Sequence, residues 1–371
     1  MTPRCTTSAP GKLVLLGEYA VLFGGPAIVL AVNRRATVAI TASDDELWSV
    51  RSPGLVTENL RFELRPDGSQ RWVECSDEEI HQLRLVGCIL SALVRLGAVN
   101  PLRMDAAALE LDTLAFFERT DHGSSKLGLG SSAALTVALA SALVRWAGTE
   151  DVLADRLGWL RTLVNIHRDF QGGSGSGIDI AASLFGGVLE YRLDGNGLPV
   201  VARPLDLPED LELLFVWTGR SADTGRFLTR LTERSAVNPG GIGRALDDLN
   251  EASQSGIQAL ETSRTKALLD AVDAFGEGLE ALGREALMPI MSSEHNHLLS
   301  LARRWGISYK PSGAGGGDLG LCFSDDPRAM GQMAASAREA GFETIDLSLD
   351  PRGIDEPGPN TEDSQAKGVS Q

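Results

Sequence analysis

Aromatic side chains are scarce in this chain: Phe, Trp and Tyr together make up 5% of 371 residues. Binding of single-stranded nucleic acid relies on aromatic platforms for the bases, and this composition offers few. Positive charge is also in short supply. Lys and Arg number 34 against 50 Asp and Glu, a formal net charge of −16. That balance repels polyanions and argues against nucleic acid or an anionic membrane as partner. It leaves a small anionic ligand open, because a few cations in a cleft reverse the local field. The four cysteines, Cys5, Cys75, Cys88 and Cys322, have neither metal-ligand spacing nor a disulfide framework, so they read as free thiols in a reducing cytosol. No segment reaches the ~20 uninterrupted apolar residues of a spanning helix, and no apolar run of signal-peptide length follows Met1. The expectation is a cytoplasmic protein, monomer or homodimer, acting on small molecules.

What is present is 43% hydrophobic and 23% charged residues, the proportions of a globular chain able to bury one large core or two communicating ones. Apolar patterning predicts strands at 12–16, 27–32, 36–41, 109–112 and 187–193, with a hairpin across 46–65. Helices are expected at 77–96, from the phosphate-loop candidate to about 146, and at 151–170. The second half predicts strands at 211–217, 319–324 and 344–349, helices at 224–235, 241–260, 264–281, 284–305 and 327–340, and a loop at 308–317. This divides the chain into α+β units at 1–199 and 200–350 with a cleft between them. Residues 351–371, rich in Pro, Gly, Asp, Ser and Gln, read as a disordered tail.

Three segments carry chemistry. In Gly128-Leu-Gly-Ser-Ser-Ala133 the glycines stop and an apolar helix begins. Free N–H groups and the helix dipole there form an anion site suited to a di- or triphosphate, and Ser131 and Ser132 can cap the helix or reach phosphate and Mg²⁺. A capped helix after a flexible turn is the plain alternative. The stretch lacks the Gly-Lys-Ser/Thr ending of a Walker A loop. Pro311-Ser-Gly-Ala-Gly-Gly-Gly-Asp318 places four glycines in five positions, at a cost in ordering entropy that makes sense where the main chain wraps closely around something. Lys12 stands at the mouth of an apolar strand and Glu18 in the tight segment behind Gly17. Asp179 opens a helix after Gly175-Ser-Gly, where it complements the dipole or orients an acceptor during phosphoryl transfer. His167 reads as a helix histidine with a satisfied partner.

In this order the elements resemble the three motifs of the GHMP kinase superfamily, at residues 8–21, 126–135 and 311–320. The resemblance implies an N-terminal ribosomal-protein-S5-like α/β domain and a C-terminal ferredoxin-like α+β domain, with the active site in the cleft. Within the superfamily, Gly17-Glu-Tyr-Ala-Val21, Gln171-Gly with Gly175-Ser-Gly-Ile-Asp179, Val216-Trp-Thr-Gly-Arg-Ser-Ala222 and the acidic end of the third motif are most similar to the phosphomevalonate kinase family.

By that resemblance the reaction is ATP-dependent phosphorylation of (R)-5-phosphomevalonate, with ATP and Mg²⁺ as cofactors. Mevalonate kinase activity, another small-molecule kinase and a non-catalytic sensor of the same fold are the alternatives. Asp179 is implied as the catalytic carboxylate and Lys12 as its cationic neighbour. Lys126, Gly128, Leu129, Gly130, Ser131, Ser132 and Ala133 are implied at ATP, with Ser132 reaching the metal. Glu18, Tyr19, Ser176, Gly177, Arg220, Ser221, Ser312, Gly313, Ala314, Gly315, Gly316 and Asp318 are implied at the acceptor. Mevalonate kinases place a metal-binding glutamate before the catalytic segment. Arg168-Asp169 stands in that neighbourhood here, and the second metal ligand stays unassigned.

Overall fold

The computed structural model describes residues 4–355 apart from 44, 57, 121 and 122. The first body is built on a mixed sheet. Its early strands are β1 (Arg4–Leu16), β2 (Ala27–Ala42), β3 (Trp48–Arg51), β4 (Leu60–Leu64) and β5 (Gln70–Val73). Helices α1 (Asp77–Gln82) and α2 (Arg84–Arg95) lead to β6 (Ala107–Asp112), then to a ribbon of β7 (Phe117–Thr120) and β8 (Gly123–Lys126). Helices α3 (Ser131–Trp146), α4 (Arg156–Phe170) and α5 (Ile178–Phe185) follow, and β9 (Val188–Leu193) and β10 (Pro199–Leu205) complete the body. The sheet order is β10-β9-β2-β6-β3-β4-β5, with β1 paired along β2. Every pairing is antiparallel except β3 with β6.

The second body has β11 (Glu212–Trp217), then α6 (Thr224–Val237), α7 (Pro239–Glu261), α8 (Thr265–Ala286) and α9 (Ser293–Arg304). After these come β12 (Ser308–Pro311), β13 (Leu319–Ser324), α10 (Pro327–Glu339) and β14 (Glu343–Ile345). Its sheet runs β12-β13-β11-β14, antiparallel throughout. This is the two-unit α+β architecture expected from the sequence.

One apolar core runs through both bodies, from Ala9 to Leu347. Helix α3 is buried almost all round, which accounts for an Ala- and Leu-rich sequence with no polar face. Helix α7 packs close to β1: a Cβ added at Gly256 would sit 2.2 Å from Leu16 Cδ1. A smaller cluster, including Leu298, Ala302, Tyr309 and Met333, lies beneath α9 and α10.

Several boundaries differ from the sequence reading, each for a tertiary reason. The two strands expected at 27–32 and 36–41 are one continuous β2. The polar Asn33-Arg34-Arg35 stretch that looked like a break is carried across by a register shift between Pro10 and Gly11 on β1. The helix expected at 77–96 starts on a capping box of Ser76 and Glu79 and divides at Leu83, whose backbone (φ −95, ψ 10) leaves the helical range. The helix expected at 284–305 ends at Ala286, with Leu287 left-handed, and restarts on a Ser292 cap. The loop expected at 308–317 opens with the buried strand β12.

The first body extends to Leu205, because β10 pairs with β9, so the boundary expected at 199 moves. The tail expected from 351 is docked as far as Asp355, whose N–H donates to Ser8 O at 2.7 Å. Arg35 holds this strap through Asp350 at 2.5 Å and Gly353 O at 2.8 Å. Residues 356–371 lie outside the described residues.

Candidate active site

A cavity of ≈ 290 Å³ opens between the bodies, lined by β1, the β8–α3 turn, the start of α5, the chain after β11 and the third glycine loop. Two helices point their N-termini at it. Helix α3 starts after Gly130 (φ 77, ψ 39) and α5 after Gly177 (φ 78, ψ 7), and neither has a side-chain cap. Ser76, Asp155, Asp223, Asn238, Ser292 and Asp326 cap α1, α4, α6, α7, α9 and α10, while α2 and α8 also lack a side-chain cap but do not line the cavity. The expectation that Ser131 and Ser132 cap α3 is therefore overturned. Glycine holds the cap position, the serines are already inside the first turn, and the leading N–H groups face the cavity unshared with a cap.

Lys12 is fixed beside this turn. Its N–H donates to Leu129 O at 2.9 Å and its Nζ to Gly128 O at 3.1 Å. A Cβ on Gly130 would lie 3.2 Å from Lys12 Cγ and 3.6 Å from Asp179 Cβ, so lysine and aspartate flank the same glycine. Asp179 Oδ1 accepts from Ile180 N at 2.9 Å. Its Oδ2 lies 4.0 Å from Nδ1 of His167, a ring whose Nε2 is 3.1 Å from Ser132 Oγ. Burial pushes the His167 pKa below its ordinary value, Asp179 opposes this and Lys126 reinforces it.

Asp318 lies over the other glycine of the turn: a Cβ on Gly128 would be 2.3 Å from its Cγ. Ala222 N donates to Asp318 Oδ1 at 3.1 Å. Burial raises the Asp318 pKa, against this hydrogen bond and the nearby Lys12 and Lys126. Desolvation lowers the Lys126 pKa, Asp318 opposing and Lys12 adding to the effect. The side chain is nonetheless exposed by surface area, so water tempers that shift.

Behind the cavity, Glu18 and Lys310 form a buried ion pair at 2.5 Å, with side chains 4% and 0% exposed. Lys310 Nζ also donates to Val14 O at 3.3 Å, and Gly313 N to Glu18 Oε1 at 3.2 Å. Glu18 Oε2 has no partner. Tyr19 OH donates to Ala314 O at 2.5 Å, which ties the first motif to the third.

The structure brings together Lys12, Glu18, Tyr19, Lys126, Gly128, Gly130, Ser132, Ser176, Gly177, Asp179, Ser221, Gly313, Ala314 and Asp318 around one cavity. Other expected site residues do not line it. Leu129, Ser131 and Ala133 are buried in the core side of the turn, and Ser312 is buried beside β1. Arg220 turns outward to Glu294 at 3.2 Å. Gly315 and Gly316 pack on the protein itself: added Cβ atoms would lie 2.6 Å from Ile290 O and 2.6 Å from Phe227 Cζ.

Sequence reading gave no site role to Gln171, Ile178, Thr224 and Leu228, which also line the cavity. It also gave no role to Lys310, although a lysine in a strand abutting the glycine loop signals a buried charge in need of a partner. The Arg168-Asp169 gap is explained. Arg168 tethers the turn before α5 through Gly175 O at 2.8 Å and Gly197 O at 2.6 Å, while Asp169 faces Arg95 at 3.6 Å.

Ser132 Oγ and the carboxylates of Asp179 and Asp318 are hard oxygen donors, the kind Mg²⁺ takes. Among the described residues no group of three or more His, Cys, Asp or Glu is assembled to hold a metal ion. This donor set fits a cation that arrives on nucleotide phosphates and keeps part of its water.

Comparisons with known proteins bear on the family and the fold. Residues 119–187 match the family model described as GHMP kinases N terminal domain. The chain is 29% identical over 345 residues to the phosphomevalonate kinase of Streptomyces sp. (strain CL190), covering 85% of this chain and 89% of that one. It is 28% identical over 319 residues to the mevalonate kinase of Methanothermobacter thermautotrophicus, covering 85% and 88%. Among solved structures, Streptococcus pneumoniae phosphomevalonate kinase in complex with phosphomevalonate and AMPPNP superposes with a TM-score of 0.71 at 18% identity, covering 94% of this chain and 99% of that one.

Proposed function

We propose that this chain, whose residues 119–187 match the GHMP kinase N-terminal family model, transfers the γ-phosphate of ATP to (R)-5-phosphomevalonate, giving ADP and 5-diphosphomevalonate. The observation that carries this reading is the convergence of two glycine-initiated helix N-termini and two lysines on one cavity, with Ser176 Oγ accepting from Ile178 N at 3.3 Å and Asp179 Oδ1 from Ile180 N at 2.9 Å on α5. One anionic ligand needs a single such site, and two phosphorylated ligands meeting end to end need both. The 29% identity to a phosphomevalonate kinase supports the same acceptor.

In this assignment the α3 N-terminus and Lys126 take the nucleotide phosphates, and the α5 N-terminus takes the acceptor phosphate. Ser132, Asp179 and Asp318 are the oxygen donors that would hold Mg²⁺, which would supply charge neutralisation when it arrives with the nucleotide. An acceptor phosphate oxygen is already ionised, so no alcohol proton has to be removed. Asp179 therefore acts by orienting Lys12 and the acceptor, and catalysis rests on in-line placement and charge stabilisation. Lys12, anchored on Gly128 O and flanking Gly130 opposite Asp179, stands where charge passes between the two ligands. Val14, Ile178 and Leu228 give the acceptor's carbon skeleton an apolar wall.

Mevalonate as acceptor is the second reading, favoured by the similarity to an archaeal mevalonate kinase. A coupled ADP-release assay over phosphomevalonate, mevalonate, homoserine and sugars separates the readings. The proposal expects kcat/KM to be highest for phosphomevalonate, and a preference for unphosphorylated mevalonate overturns it.

A further inference from the structure

His167 stands between the two halves of this site, and nothing in the reaction as described so far uses it. Its ring is on the last turn of α4 and 2% exposed. Nε2 lies 3.1 Å from Ser132 Oγ on the first turn of α3. Nδ1 lies 4.0 Å from Asp179 Oδ2 on the first turn of α5. Phe170 stacks on the ring with centroids 6.1 Å apart and planes inclined by 21°, which limits its rotation. One buried imidazole thus addresses a nucleotide-side hydroxyl with one nitrogen and an acceptor-side carboxylate with the other.

We propose that His167 is a positioning residue that sets the direction of the Ser132 hydroxyl while its other nitrogen faces Asp179. In a neutral imidazole one nitrogen donates and the other accepts. A carboxylate facing Nδ1 favours the proton there, which leaves Nε2 as the acceptor. Ser132 then donates its hydroxyl hydrogen to His167, and its lone pairs turn to the cavity. A hydroxyl held that way repels phosphate oxygens and receives a cation. The serine at the start of α3 is thereby specified as a ligand for the cation carried by the nucleotide, and not as a phosphate donor. The same ring lies where the ends of α3, α4 and α5 meet, between the Ser132 hydroxyl and the Asp179 carboxylate. Partners that orient metal ligands in this way are typically worth about 10–100-fold in metal affinity or activity.

The inference rests on the nucleotide side of the proposed function and is independent of which acceptor is used. Long-range ¹H–¹⁵N spectra of the ¹⁵N-labelled full chain report the tautomer of each of the five histidines, and the spectrum of His167→Gln assigns the signal. The expected result is a protonated Nδ1 and an unprotonated Nε2 in the protein without ligand. ATP affinity is then measured by calorimetry with and without Mg²⁺. His167→Ala is expected to keep its Mg²⁺-free affinity, lose most of the gain that Mg²⁺ gives, and lose about 10–100-fold in kcat on the preferred acceptor.

A protonated Nε2 in the wild-type protein overturns the proposal. So does a His167→Ala variant that keeps its Mg²⁺ dependence and kcat while only its Tm falls. If that variant does not fold, the wild-type tautomer and the Mg²⁺ dependence of His167→Gln decide the matter. If no acceptor in the panel is turned over, the spectra and the calorimetry still give their answer, and the acceptor assignment fails separately.

Discussion

The two glycine loops of this protein look alike in sequence and do opposite things. In the turn before α3 the glycines leave N–H groups at a helix end with no side-chain cap, facing a cavity. In the loop before β13 the backbone groups are committed to the protein. Gly313 N donates to Glu18, Gly316 N to Ile290 O at 2.8 Å and Asp318 N to Arg220 O at 2.8 Å. Tyr19 OH and His295 Nε2 approach the carbonyls of Ala314 and Gly317 at 2.5 and 2.9 Å. Glycine therefore serves close approach in both loops, to an open cavity in one and to neighbouring chain in the other. On the proposed reading the open loop takes phosphate, and the locked loop holds Asp318 over it.

The largest effect expected lies at the open loop. Asp179→Asn removes a charge beside Gly130 and should lower kcat on the order of 10²–10³-fold. ATP affinity measured without Mg²⁺ by calorimetry, and Tm, should stay near wild type. A variant that loses Tm in parallel with kcat would place Asp179 in the scaffold instead.

At the locked loop the expected losses are of stability. Lys310→Met leaves Glu18 buried without its cation and should cost about 3–5 kcal/mol in urea unfolding. Adding Glu18→Gln should restore most of that loss, because no uncompensated charge then remains.

His295 gives the locked loop a pH dependence. Burial lowers its pKa from 6.5 to about 4, so the unfolded chain binds the proton more readily. The stability from a neutral His295 is complete above pH 6.5 and is lost as pH falls towards 4. That amounts to about 3 kcal/mol. Unfolding curves across this window should flatten in His295→Gln, and an unchanged slope would remove His295 as the cause.

The smallest contrast lies within the locked loop. Gly313 and Gly315 share a positive φ, 77 and 73. A Cβ at Gly313 meets nothing within 4 Å, while one at Gly315 meets Ile290 O at 2.6 Å. Gly313→Ala should cost about 1–2 kcal/mol from backbone strain alone, and Gly315→Ala about 1–3 kcal/mol more. Equal losses would contradict the assignment of Gly315 to internal packing.

What was legible in the sequence follows the same division. Lys12, Gly128, Gly130 and Asp179 could be found because helix starts after glycine and a lysine at a strand mouth are local patterns. The glycine density of 313–317 correctly signalled close approach. Its partners, Ile290, Phe227 and the backbone at 220–222, are remote in sequence and belong to no motif. Arg220, Gly315 and Gly316 were assigned to the ligand for that reason. The pairing of Glu18 with Lys310 joins residues 292 positions apart, and burial alone turns a turn carboxylate into a structural one. His167 read only as a helix histidine with a satisfied partner, because which partner it has depends on three helix ends meeting.

The central claim, phosphoryl transfer onto a phosphate, is tested most directly by ³¹P NMR of the product formed from ATP and (R)-5-phosphomevalonate. The account predicts a pair of mutually coupled diphosphate signals beyond those of ADP, appearing in step with ADP release. A product with only phosphomonoester signals, or one formed from mevalonate but not from phosphomevalonate, would contradict it.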